Sequence, residues 1–162
     1  MSNARNLADL LARNVTGTMT PIVTLTATGN ITAATHAGKT LLMGEVGGNA
    51  AATFTLPAAT GSGAEYRFIV SVVNTSNYKI QVANANDIMT GSATMVDSDT
   101  SDNMEGFVTA AASDTITLNG STTGGVTHAT ITCTAISSTK WSVSVVTAGT
   151  GNLATPFSAA VS

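Results

Sequence analysis

From Ile22 onward, apolar and polar residues alternate in short bursts, the period of two that marks β-strands half-buried against a core. Val23, Leu25 and Ala27 stand opposite Thr24, Thr26 and Thr28, ahead of a turn at Gly29 and Asn30. Lys39 to Met43 forms a second apolar run, closed by the glycine-rich stretch Gly44 to Asn49. Ala52 to Leu56 alternates cleanly and stops at Pro57, which has no N–H to offer a ladder. In Glu65 to Val73, Tyr66, Phe68, Val70 and Val72 share one face, while Ile69 and Val73 make the other partly apolar. Two apolar faces predict a central strand, or one covered by a neighbouring chain. Further strands are expected at Tyr78 to Val82, Ile88 to Thr90, Met104 to Thr109, Asp114 to Asn119, Thr127 to Ala135 and Lys140 to Thr147. Ile131, Cys133, Trp141, Val143 and Val145 define inward faces in the last two, with Ser142 and Ser144 facing away. About eight to ten short strands, with turn signals every 8 to 12 residues or so, predict an all-β fold. The expected body is an antiparallel β-sandwich or jelly roll over residues 21–148.

The two ends break this pattern. Leu7, Leu10 and Leu11 lie at i, i+3 and i+4, so residues 3–11 are expected to form a short amphipathic helix, with residues 1–20 as helix and arm. A helix of about nine residues is marginal in water. It therefore needs a surface, either its own body or another subunit. Residues 149–162 lose alternation and are expected to form an extended C-terminal arm. Its apolar anchors, Phe157 and Val161, are expected to touch a neighbour or the body. Leu7, Leu10, Leu11 and Phe157 are thus the candidate partner-binding residues.

Composition sharpens this picture. A chain of 162 residues fits one domain with a core of its own. Charged residues make up only 9%, against about 25% in an average domain, yet 43% are hydrophobic, so disorder is not indicated. The six basic residues, Arg5, Arg13, Lys39, Arg67, Lys79 and Lys140, are scattered. Nucleic-acid binding and polybasic membrane attraction both need them clustered. Asp9 and Arg13 interrupt any signal-peptide core, and no run approaches the roughly 20 apolar residues of a membrane span. The expectation is a soluble chain made in a cytoplasm, with neither nucleic acid nor membrane as partner.

Candidate chemistry is sparse. Asp97, Asp99 and Asp102, with Glu105 nearby, offer hard oxygen ligands of the kind calcium takes. They lack the alternate ligand positions, glycine and terminal Glu of an EF-hand, so a solvated acidic loop is the preferred reading and calcium the weaker one. His36 and His128 sit among Thr, Ala and Gly, away from the convergent ligands zinc requires. The single cysteine, Cys133, reads as a small core residue. Gly44 to Gly48 lacks the Lys and Ser/Thr of a phosphate loop, and no nucleophile elbow occurs. Trp141, Tyr66 and Tyr78 are too dispersed for a stacking platform. No catalytic residue, cofactor or metal is assigned.

Residues 3–11 resemble the opening of small structural proteins of marine tailed bacteriophages. Gly38 to Leu42, then Ala52 to Ala59, then Tyr66 to Val70 resemble, in order and spacing, a β-sandwich of phage decoration and fibre-type virion proteins. The resemblance implies a non-enzymatic virion structural protein, in the first reading a capsid decoration or cement protein on the shell exterior. It implies the major capsid protein as partner, and self-association as a homotrimer at threefold positions. A tail or fibre-adaptor protein bound to a tail partner is the first alternative. A carbohydrate-binding module for host attachment is the second.

Overall fold

The computed structural model describes residues 20–99 and 103–161. Among them lie twelve strands and one helical turn: β1 (Ile22–Leu25), β2 (Gly29–Asn30), α1 (Ala33–His36), β3 (Thr40–Met43), β4 (Ala52–Thr55), β5 (Glu65–Val70), β6 (Tyr78–Gln81), β7 (Ile88–Asp97), β8 (Met104–Val108), β9 (Thr115–Leu118), β10 (Thr130–Ala135), β11 (Lys140–Gly149) and β12 (Phe157–Ser158). They form a seven-stranded sheet in the order β1-β3-β5-β10-β11-β7-β8 and a five-stranded sheet in the order β12-β9-β6-β4-β2. The inward residues of both sheets join one hydrophobic cluster, giving a sandwich-like all-β body.

The sheets are mixed, which corrects the antiparallel sandwich expected from sequence. From β1 to β6 the chain alternates between sheets: odd strands enter the larger sheet and even strands the smaller. Parallel neighbours need a long crossover between them. Here the strand in the opposite sheet supplies it. Ile22 therefore lies beside Thr40 and Thr40 beside Arg67 in one sheet, while Gly29 pairs with Phe54 and Ala52 with Tyr78 in the other. The second half closes this wrap with antiparallel contacts, β10 on β5 and β9 on β6. β11 then runs parallel to β7, and β8 folds back on β7 as the edge.

β5 occupies the interior of its sheet, flanked by β3 and β10, as its two apolar faces predict. Phe54 of the small sheet and Phe68 of the large one stack across the interior at 6.4 Å between centroids. Tyr78 reaches from β6 to the far sheet, where its hydroxyl lies 2.7 Å from the Gly44 carbonyl and 2.8 Å from that of Val72. Burial, and then the Glu45 carboxylate, push this phenol above its ordinary value. At Gly91 the parallel partner comes so close that a Cβ would sit 1.8 Å from the Val143 carbonyl oxygen. Only glycine fits there.

The C-terminal arm expected over residues 149–162 is, in its described part, docked on the body. Phe157 pairs with Ile116 in β9 and is buried in the core, and Val161 packs against the same cluster. The few apolar residues of this tail find an open edge of the small sheet, so the loss of alternation does not release it. The amphipathic helix expected at residues 3–11 lies outside the described residues.

Candidate functional site

The acidic loop is turned to structural use. Asp97 ends β7 with its side chain buried, and its Oδ1 accepts the Asp99 N–H at 3.2 Å. Asp99 Oδ2 accepts the Gly151 N–H at 2.6 Å, and the Ser98 hydroxyl donates to the Gly149 carbonyl at 3.0 Å. These bonds pin Ser98 and Asp99, just after β7, to the end of β11. Glu105 lies on β8, opposite Met95, and Asp102 is outside the described residues. Among the described residues no group of three His, Cys, Asp or Glu side chains converges as metal ligands would.

The remaining candidates are distributed through the fold. Cys133 is wholly buried and its thiol is pushed up to about 12 by desolvation, so it is protonated and inert at neutral pH. His36 ends α1, where its Nδ1 accepts the Thr32 N–H at 2.9 Å. His128 is an exposed turn residue whose N–H donates to the Val70 carbonyl. Trp141, Tyr66 and Tyr78 are all core residues. Trp141 meets Tyr66 edge-on at 5.7 Å, and its buried indole N–H finds no acceptor among the described residues. Phe157, expected to contact either a partner or the body, contacts the body. Leu7, Leu10 and Leu11 lie outside the described residues.

The surface with most to offer a partner is the outer face of the seven-stranded sheet. Alternate residues of each strand project there, and cross-strand register lines them up in rows. One row runs Ile22, Thr40, Arg67, Thr132, Ser144, Ser92, Val108. The next runs Thr24, Leu42, Ile69, Thr130, Val146, Thr94, Gly106. Among the described residues, charge enters this face only through Glu65, Arg67 and Lys140, because Thr and Ser fill most outward positions.

Apolar exposure is uneven across that face. Among the described residues, the exposed large hydrophobics are Ile22, Val72, Val96, Met104, Val108, Ile136 and Val146. Val96, Met104, Val108 and Val146 all fall at the β11–β7–β8 end, with Val96 directly opposite Met104. Sequence reasoning missed this cluster. Its available signal was the doublet Val145-Val146, which puts an apolar residue on each face of β11, and the pair Met104 and Val108, which share a face of β8. Only the sheet order brings the two strands to the same end.

No helix among the described residues is long and apolar enough to cross a membrane. Comparison with protein-family models, with curated proteins and with solved structures returns no match.

Proposed function

We propose that this chain is a non-enzymatic structural protein of a tailed-phage virion, acting as a capsid decoration protein. It binds the shell exterior as a homo-oligomer and strengthens it by bridging capsid subunits. The observation that carries this reading is the outer face of the large sheet: broad, nearly uncharged, and apolar at one end. Contact cores in protein assemblies are depleted of charge in the same way. The ordered likeness of residues 38–42, 52–59 and 66–70 to virion β-sandwiches supports the choice of a shell as the surface. Leu7, Leu10 and Leu11 are the proposed docking residues on the major capsid protein. Repeated weak contacts on a symmetric shell gain strength through effective concentration.

Add-back to shells stripped of the protein tests this. Rebinding is expected to raise the temperature at which the shell ruptures, and a shell that neither binds nor gains stability would count against the proposal. A fibre-type role is the second reading, favoured by the stacked parallel pairs of β1 to β6, a wrap that further turns could extend. In that case the protein co-purifies with tails and not with empty shells.

A further inference from the structure

Among the described residues β8 is an unpaired edge of the large sheet with the geometry of a self-complementary contact, and we propose that a second copy of this chain pairs with it, β8 against β8 antiparallel, about a two-fold axis through Gly106. This inference rests on the edge and not on the virion reading.

The described residues present four sheet edges: β1 and β8 in the large sheet, β2 and β12 in the small one. β2 and β12 have two residues each, and β1 has four and begins after Pro21. β8 is longer, with five, and carries neither Lys nor Pro, two residues that blunt an edge; its single charge is Glu105, on the face opposite to that of Met104 and Val108. Its hydrogen-bond phase is set by its flanks. The Asp97 N–H donates to the Asn103 carbonyl, and the Thr109 N–H donates to the Gly91 carbonyl. Odd residues therefore spend their backbone groups on β7. The N–H and C=O groups of Met104, Gly106 and Val108 point outward, in the phase an added antiparallel strand requires.

A two-fold axis at Gly106 uses every one of these groups. Gly106 faces its own copy, and each Met104 faces a Val108, for about six main-chain hydrogen bonds at two per facing pair. The side chains agree. Met104 and Val108 are 70% and 78% exposed, the highest values among the exposed large hydrophobics, and they stand two residues either side of the axis. Their pairing covers apolar surface from both copies, while Gly106 leaves the axis free of side chains. Charge agrees as well: each Glu105 falls opposite a Phe107, so the two carboxylates are never directly opposed. Such an isologous contact is a two-fold one, whereas the resemblance to virion proteins implies a threefold assembly. A five-residue edge falls short of the roughly 1,200 Å² of a standard interface, so the pair is reversible and concentration-dependent.

Sedimentation of the full chain, followed up to about 1 mM, tests the pairing at the weak end of specific association. A mass that doubles with concentration is expected. Gly106→Pro removes an outward donor without touching the bonds to β7, and it should hold the mass at that of one chain. Met104→Lys with Val108→Lys should do the same by charge repulsion, with circular dichroism unchanged in both variants. Gly106→Cys should cross-link to itself under mild oxidation, since facing Cα atoms about 5.5 Å apart lie within disulfide range. Val108→Cys should not. A chain that stays single throughout, a mass of three chains, or a doubled mass that survives both edge variants would overturn the proposal. None of these results depends on whether the protein binds a shell.

Discussion

Ala160 and Asp114, 46 residues apart in sequence, are joined by a hydrogen bond in which the Ala160 N–H donates to Asp114 Oδ1 at 2.8 Å. The Val161 N–H reaches Oδ2 of the same carboxylate at 3.2 Å, and the Thr115 hydroxyl donates to Oδ1 at 2.7 Å. The buried Asp114 thus works as a clamp that holds the C-terminal tail on the small sheet. Asp114→Ala removes the acceptor and strands two backbone donors, at a cost of about 1 to 3 kcal/mol. Thermal melting should show the loss, and amide exchange should accelerate over residues 157–161 before it does in β10 or β11.

The Gly91 contact with Val143 gives a sharper test of the β7–β11 pairing. Gly91→Ala drives a methyl group into a backbone carbonyl and should destabilise the fold by about 3 kcal/mol or more. Gly29→Ala is its control: an added Cβ at Gly29 meets nothing within 4 Å, so the change should stay within about 0.5 kcal/mol. Equal effects from the two would contradict the parallel register assigned to these strands.

Alkaline pH provides a third prediction. Cys133 titrates at about 12 in the fold, up from 9.0, and burial raises Tyr66 and Tyr78 above 10.0. Between these limits the folded state holds protons that the unfolded chain has released. Stability is therefore intact below about pH 9 and falls as pH climbs toward 12, by up to about 1.4 kcal/mol per unit for the cysteine alone. Denaturant melts of Cys133→Ala should start from a lower stability at neutral pH but decline less steeply between pH 9 and 12. At neutral pH the native thiol should resist alkylation until the protein is unfolded.

The amphipathic stretch yields a fourth. Replacing Leu7 and Leu10 by Asp should weaken attachment to shells, since each buried leucine contributes roughly 1.5 to 3 kcal/mol. The melting temperature of the isolated protein should stay the same. A binding curve that does not move would separate these residues from docking.

Much of the body was legible in the sequence. Alternation located β4, β5, β6, β10 and β11, and it turned Ile131, Cys133, Trp141, Val143 and Val145 inward, where all five are buried, because a period of two fixes which face a side chain takes. It cannot fix strand direction or partners, so the parallel wrap of β1 to β6 stayed hidden. β2 was read as a turn, since Gly29 and Asn30 carry turn chemistry and only the neighbouring β4 makes them a strand. The second half of β7 escaped because Gly91-Ser92-Ala93-Thr94 has too little apolar contrast to show a period. The apolar end of the large sheet was illegible for a related reason: it is assembled from three strands, and no one of them shows it.

Image reconstruction of purified tailed-phage virions produced together with this chain is the decisive test of the proposed decoration role. The expected result is β-sandwich density on the outside of the shell, in fixed stoichiometry with the capsid subunits. Density confined to the tail, or particles without the protein, would contradict it.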